Sequence, residues 1–110
     1  MNDIGLNTNQ IEKIKKVFSR HPEIEKVILY GSRAKGDYKP FSDIDFTIIG
    51  VNLDLSQQQV IENELDDLLL PYKMDISVYH KISNPDLINH IKRVGKVFYK
   101  KELLSSSTRF

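Results

Sequence analysis

Three aspartates stand where their carboxylates can meet and bind a cation. Asp43 and Asp45 lie two residues apart at the start of a predicted strand, so their side chains point the same way, with Cα atoms about 6.6 Å apart. Asp75 is a further charged residue inside a predicted strand. Carboxylates that share a small volume repel one another unless one is protonated or a cation binds among them. Oxygen ligands favour Mg²⁺ or Mn²⁺, and the chain has no cysteine, so the sequence predicts one of these ions rather than zinc.

A second group of residues with binding chemistry follows the first predicted strand. Gly31 and Ser32 end that strand before a short helical turn, which leaves backbone N–H groups free to bind phosphate. Gly31 permits close approach of the backbone, and the hydroxyl of Ser32 can donate to a phosphate oxygen. Arg33 and Lys35 add two cations to the same turn. Taken alone, this pattern is better explained by a helix-capping serine and two solvated basic residues.

Hydrophobic periodicity predicts the elements that position these residues. In chain order they are a helix at 9–20 capped by Thr8 or Asn9, a strand at 26–30, a helical turn after Gly31, a strand at 44–49, a helix at 56–70 capped by Ser56, a strand at 74–79, a helix at 85–94 and a short edge strand at 97–99. This order predicts an α/β (α+β) fold, a small mixed sheet with helices packed on it. The helix between the second and third strands predicts that they are parallel neighbours.

The predicted strand pairing brings the acids together. Asp45 and Asp75 are each the second residue of their strand, so parallel strands in register place both at the same end of the sheet. Asp43 and Asp45 alone would equally fit a turn followed by an edge strand. The position of Asp75 favours a shared site.

Composition predicts one domain. We assign residues 1–104 to it and expect 105–110 to form a disordered tail. The 16 Lys and Arg balance 15 Asp and Glu, so net charge does not support direct nucleic-acid binding. The absence of cysteine, of a signal-peptide pattern and of any long apolar run predicts a cytoplasmic protein without membrane association. A chain of 110 residues leaves no room for a separate substrate-recognition domain, which favours a partner chain.

The two groups of site residues stand at a distinctive spacing. Residues 30–36 read YGSRAKG and residues 42–46 read SDIDF, so Gly-Ser precedes Asp-x-Asp by ten residues. This pattern resembles the nucleotidyltransferase superfamily typified by DNA polymerase beta. Within it, the chain looks like the minimal nucleotidyltransferases of bacteria and archaea, which are usually paired with a HEPN-domain protein. The resemblance covers residues 24–99.

The resemblance implies a polymerase beta-like fold and a nucleoside triphosphate bound by the residues around the glycine. Gly31 and Ser32 are the implied triphosphate ligands, and Arg33 and Lys35 are the implied neighbouring nucleotide-binding cations. Lys35 stands where many relatives have arginine, which keeps the charge but loses bidentate geometry.

The resemblance also implies two-metal catalysis by the acids. Asp43 and Asp45 are the implied ligands of two Mg²⁺ or Mn²⁺ ions, while Asp75 completes one metal site and helps to activate the attacking hydroxyl. All three acids are present, so the resemblance implies an active enzyme.

The implied reaction is transfer of AMP from ATP to a tyrosine hydroxyl of a cognate HEPN toxin, with the chain acting as an antitoxin in a hetero-oligomer. Two alternatives remain open. A non-catalytic, nucleotide-binding antitoxin would block its partner by complex formation alone. A transferase acting on a small molecule would have to work without the second domain that such enzymes carry.

Overall fold

The computed structural model describes residues 4–102. The expected tail at 105–110 therefore lies outside the described residues. The elements are α1 (Thr8–Ser19), β1 (Ile24–Tyr30), α2 (Ser32–Lys35), β2 (Ile44–Gly50), α3 (Leu55–Asp66), β3 (Met74–Val78), a 3₁₀ turn (Tyr79–Lys81), α4 (Pro85–Val94) and β4 (Lys96–Lys100). Across this range, no helix is long and apolar enough to cross a membrane.

The strands form a single mixed sheet in the order β3-β2-β1-β4. β1 pairs antiparallel with both β2 and β4, whereas β2 and β3 run parallel, as the crossover helix between them predicts. In this parallel pair Asp45 lies directly opposite Asp75. The predicted mixed sheet and α/β fold class are confirmed.

The core lies between the sheet and helices α1 and α3. α1 presents one apolar face, formed by Ile11, Ile14, Val17 and Phe18, at the spacing that its sequence predicts. The ring of Phe18 meets that of Phe46 on β2 edge to face, with centroids 5.3 Å apart. Because successive strand residues point to opposite faces, the burial of Phe46 in this core directs its neighbours to the other face.

That other face of the sheet is partly covered by α4, whose bounds agree with the prediction. Asn84 caps the helix by accepting a hydrogen bond from the backbone N–H of Asp86, at 2.9 Å. At its other end, Gly95 packs so closely against Ile28 of β1 that a Cβ would lie 2.7 Å from that side chain. The helix thus lies over β1, on the face that also carries the acids.

α1 begins at a different cap from the one predicted. Asn7, rather than Thr8 or Asn9, accepts from the backbone N–H of Gln10 at 2.8 Å, and the Gln10 side chain accepts from the backbone N–H of Asn7 at 3.1 Å. Asn7 and Gln10 thus form a capping box, and its first residue lies two residues before the expected cap at Asn9.

α3 also departs from its predicted bounds. It begins after Asp54, which accepts from the backbone N–H of Gln57 at 2.8 Å, so Ser56 is not the cap. It ends at Asp66 rather than at Leu70. The helix ends because the next turn tightens: the backbone N–H groups of Leu68 and Leu69 donate to the carbonyls of Leu65 and Asp66, and Leu69 takes a left-handed φ of 56°.

Candidate active site

The centre of the site is the pair of acids on β2 and β3. Asp45 and Asp75 face each other across the parallel ladder, and their carboxyl groups are hydrogen-bonded. Burial of the Asp45 carboxyl raises its pKa to about 6, and the charge of Asp75 contributes to the same shift. Burial and the neighbouring charge therefore make Asp45 hold its proton to a higher pH than an ordinary carboxyl group does.

Asp43 lies at the edge of this pair. It precedes β2 by one residue, its side chain is exposed, and its charge adds to the raised pKa of Asp45. Within residues 4–102, no three acidic or histidine side chains are arranged closely enough to form a metal-binding group. The structure thus brings Asp45 and Asp75 together and leaves Asp43 beside them on the approach to the strand.

Gly31 joins the predicted phosphate loop to the acids. Its φ of 77° lies in the region that favours glycine, and a Cβ at this position would collide with Oδ2 of Asp45. Its backbone N–H donates to Nε2 of His90 on α4, at 3.2 Å. The ring of His90 also packs edge to face on Tyr30, with centroids 6.0 Å apart. The loop is therefore held between an acid of the sheet and a histidine of α4.

Ser32 and Lys35 belong to the short helix that follows. Gly31 holds the cap position and no side chain caps this helix, so Ser32 lies in its first turn and is not the capping residue that the sequence also allowed. Lys35 is exposed and its Nζ lies 3.5 Å from a carboxylate oxygen of Asp37. Surface pairs of this kind contribute at most about 1 kcal/mol, so Lys35 can exchange this partner for a phosphate.

Arg33 occupies a different environment from its neighbours. The side chain is 1% exposed. Its guanidinium donates to the carbonyl of Ser42 from Nε and Nη2, at 3.2 and 2.9 Å, and to the carbonyl of Ile4 from Nη1, at 2.9 Å. It lies over the rings of Tyr38 and Tyr72, at 5.2 and 4.6 Å. The sequence leads us to expect a nucleotide contact here, but the structure commits this cation to the protein interior.

Two hydroxyl residues line the sheet beside the acids. Tyr30 lies opposite Asp45 on β1, and its hydroxyl is hydrogen-bonded to Ser77 of β3. Burial raises the pKa of Tyr30 above its ordinary value of 10.0. The alternation of β3 predicts that Asp75 and Ser77 share a face, and the contact with Tyr30 places both on the acid side of the sheet.

A family model agrees with this arrangement. The model described as polymerase beta, nucleotidyltransferase matches residues 12–103. The chain belongs to this nucleotidyltransferase family. The resemblance noted in its sequence is thereby confirmed, and the matched range contains every candidate site residue.

One curated relative of this nucleotidyltransferase comes from Methanocaldococcus jannaschii. It is called "Putative protein adenylyltransferase" and is 36% identical over 83 residues, which are 69% of this chain and 79% of the relative. Solved structures share the fold at lower identity. A chain of a toxin–antitoxin complex with AMP-PNP is 22% identical with a TM-score of 0.67, over 93% of this chain and 79% of that one. Another similar chain comes from the complex of a tri-AMPylated Shewanella oneidensis HEPN toxin with MNT antitoxin. It is 18% identical with a TM-score of 0.65, over 93% of this chain and 78% of that one.

The acids of the nucleotidyltransferase suit a divalent cation. Two hydrogen-bonded carboxyl groups, one with a raised pKa, form a place where a cation can replace a proton and relieve the repulsion. All of the donors are carboxylate oxygens, which are the ligands that Mg²⁺ prefers. Asp45 and Asp75 would hold such an ion, with Asp43 beside them before the start of β2. When bound, the ion would neutralise charge on the triphosphate.

His90 is the functional candidate that sequence reasoning missed. Its contact with Gly31 joins positions 59 residues apart, and no spacing in the sequence relates them. Only the packing of α4 across β1 brings the imidazole to the loop. Because Nε2 accepts the Gly31 N–H, the lone pair of that nitrogen is occupied by this hydrogen bond.

Proposed function

We propose that this nucleotidyltransferase transfers AMP from ATP to a tyrosine hydroxyl of a HEPN-domain toxin and so acts as its antitoxin. The observation that carries the proposal is the register of Asp45 and Asp75, which pairs two carboxylates, of which that of Asp45 lies directly against Gly31. The adenylyltransferase name of the archaeal relative supports a protein acceptor. The HEPN toxin and MNT antitoxin complex that shares this fold supports the nature of the partner.

The transfer requires an in-line displacement at the α-phosphorus of ATP. The acceptor oxygen forms a new bond to that phosphorus while the bond to the bridging oxygen of the β-phosphate breaks, and pyrophosphate leaves. The proton of the acceptor hydroxyl passes to a carboxylate of the site, for which Asp75 is placed on the outer strand. Mg²⁺ held by Asp43, Asp45 and Asp75 would supply charge neutralisation for both oxygens.

The loop residues bind the triphosphate in this proposal. The hydroxyl of Ser32 donates to a phosphate oxygen, and the exposed ammonium of Lys35 pairs with phosphate charge. Gly31 lets the backbone approach the acids, because hydrogen is the largest substituent that the Asp45 carboxylate leaves room for. Phosphate and metal ligands are thus parts of one continuous surface.

The acceptor side of the site is open and carries an exposed aromatic residue. Phe41 is 78% exposed and lies two residues before Asp43. An apolar side chain of this size in water is available for contact with a protein surface. We propose that the partner covers Phe41 when it brings its tyrosine to the acids.

Labelling with ATP tests the proposal directly. The chain is incubated with ATP labelled at the α-phosphate, Mg²⁺ and a HEPN-domain protein from the same organism, and Asp45→Asn serves as the matched inactive variant. We expect label on a tyrosine of the partner with the native chain and none with the variant. Inhibition of the partner without label would instead support blocking by complex formation. Label on neither protein, with ATP still consumed, would point to a small-molecule acceptor.

A further inference from the structure

The buried guanidinium of Arg33 connects the segments that lead to the site. Arg33 is the largest of the fully buried side chains within residues 4–102. It donates to carbonyls of the N-terminal segment at Ile4 and of the loop before β2 at Ser42. The rings on which it stacks come from two further places, Tyr38 after α2 and Tyr72 before β3.

Three of these four contacts, those to Ser42, Tyr38 and Tyr72, lie a short distance along the chain from a site residue. Arg33 itself follows Ser32, and the carbonyl that receives two of its N–H groups belongs to Ser42, which directly precedes Asp43. Tyr72 lies three residues before Asp75. The two strand entrances are also joined to each other, since the backbone N–H of Ile44 donates to the carbonyl of Lys73 at 2.8 Å. One side chain therefore touches the triphosphate loop and both routes to the acids.

Burial of this cation requires a physical reason. A buried charge is costly unless its donors are satisfied, and an apolar side chain of similar volume would fill the same space at lower cost. Carbonyl oxygens and aromatic faces satisfy the guanidinium here. An apolar residue could not hold the carbonyl of Ser42, because only a hydrogen-bond donor fixes the position and direction of that group.

We infer that Arg33 is a positioning residue for the metal-binding acids. It fixes the carbonyl of Ser42 and thereby holds Asp43 at a set distance from Asp45 and from the Gly31–Ser32 loop. Asp43 needs such support more than the other acids, because it precedes β2 and has no place in the sheet ladder. The expected effect of Arg33 on AMP transfer rests on the proposed function. Its expected effects on metal binding and on the order of residues 37–43 do not.

The test compares Arg33→Met, which keeps the bulk, and Arg33→Lys, which keeps the charge, with the native chain. Binding of Mn²⁺ is measured by electron paramagnetic resonance, and backbone hydrogen exchange is followed in residues 37–43. We expect Arg33→Met to weaken Mn²⁺ binding by about 10- to 100-fold, as loss of a supporting partner of metal ligands does. Hydrogen exchange in residues 37–43 should become faster than in the native chain, while exchange in β1 should stay at the native rate. Arg33→Lys should rescue only part of the loss, since one ammonium cannot serve two carbonyls in the fork geometry.

A control separates positioning from general stability. Ile14→Ala removes a fully buried side chain of α1 that lies in the core and away from the acids. When Ile14→Ala and Arg33→Met are compared under conditions in which the same fraction of each is unfolded, Ile14→Ala should keep native Mn²⁺ affinity. Transfer by Arg33→Met should fall by about 10²-fold in kcat with a smaller change in the KM for ATP, because misplacing a site by about 1 Å has that effect.

A second variant covers the case in which Arg33→Met does not fold. Gly5→Ala keeps the arginine but places a Cβ 2.5 Å from its Nη1 and 2.6 Å from the ring of Tyr38, so the groups packed around the guanidinium must shift. It should reproduce the loss of Mn²⁺ affinity and the faster exchange of the loop. Native affinity and native loop exchange in a folded variant whose guanidinium is removed or displaced would overturn the inference. If the native chain binds Mn²⁺ in this Arg33-dependent way but transfers AMP to nothing, the proposed function fails and Arg33 keeps its role.

Discussion

At the scale of single residues, Asp45 combines burial with a like-charged neighbour, and this combination makes stability depend on pH. Its pKa is about 6 in the folded protein against an ordinary value of 3.8, so the folded state holds this proton more tightly. The protonated form therefore stabilises the fold below pH 3.8, and that contribution is lost as pH rises through about 6. In the absence of metal, Asp45 should therefore contribute least to the stability of the fold at pH values above about 6.

Asp45→Asn should remove this dependence. Asparagine is nearly isosteric and carries no charge, so the metal-free variant should unfold at a higher temperature than the native protein at pH values above 6 and show a flatter profile toward pH 4. Thermal unfolding in EDTA across this range measures both. Asp66→Asn is the control, because it removes a charge from an exposed position. Parallel profiles for native and Asp45→Asn protein would contradict the electrostatic description of the site.

Ser32→Ala tests the loop. The hydroxyl that donates to a charged phosphate should contribute about 1.5–3 kcal/mol to ATP binding. Since Gly31 holds the helix cap, the fold should lose little, within about 0.5 kcal/mol as for an ordinary surface change. Calorimetric titration with ATP measures the affinity, and urea unfolding measures the free energy of unfolding. Unchanged affinity with a marked loss of stability would assign Ser32 a structural role only.

Asp75→Asn should separate nucleotide binding from chemistry. If Asp75 also accepts the proton of the acceptor hydroxyl, the variant loses far more transfer than Mg·ATP affinity, because the transition state loses this contact in addition to one ligand of the ion. Asp45→Asn should damage both properties. Calorimetric ATP binding and single-turnover labelling of the partner distinguish the two variants. Full transfer by Asp75→Asn would place this carboxylate outside the reaction.

At the scale of elements, some features could be predicted from sequence because they follow from chain connection. The crossover helix α3 between β2 and β3 favours a parallel pair, and the equivalent positions of Asp45 and Asp75 in the two strands then predict that they lie opposite each other. The partners of Arg33 and of His90 could not be predicted. Their contacts join segments that lie 9 to 59 residues apart, and only the packing of α4 and the N-terminal segment brings them together. The local sequence pattern does not predict such contacts.

The end of α3 shows a second limit of local pattern. Apolar residues continue in helical order past Asp66, but the chain turns at Leu68 and Leu69 with hydrogen bonds of the 3₁₀ type, to Leu65 and Asp66. Leu69 then takes a φ of 56° and is 86% exposed. Hydrophobic periodicity reports which residues are apolar and cannot report that one of them lies in water in a left-handed conformation.

Leu69→Gly should therefore stabilise the protein. A left-handed leucine costs about 1–2 kcal/mol relative to the right-handed form, and glycine removes this cost while adding about 0.5–1 kcal/mol of unfolded-state entropy. The expected net gain is about 0.5–1 kcal/mol in urea unfolding. Leu69→Ala is the control, because it removes the same exposed side chain but keeps a Cβ. Equal stability of the two variants would show that backbone conformation at this position costs little.

At the scale of the whole molecule, the acids lie at one end of a small sheet, and the acceptor must approach from solvent. Phe41→Ser should lower transfer to the HEPN partner through KM, because it removes apolar contact area at the approach to Asp43. ATP affinity and thermal stability should stay native, since the side chain is 78% exposed. Leu55→Ser, equally exposed at 73% but on α3, is the matched control. Equal transfer by both variants would remove Phe41 from the docking surface.

The contact between Gly31 and Asp45 bears on how this enzyme can be inactivated in evolution. Every missense change of a single base in a glycine codon introduces a Cβ, and at position 31 that carbon meets the Asp45 carboxylate. A lineage can therefore lose the activity in one step while all three aspartates remain in its gene. Intact acids are consequently poor evidence that a homologue is active, and the glycine before the serine is the position to inspect first.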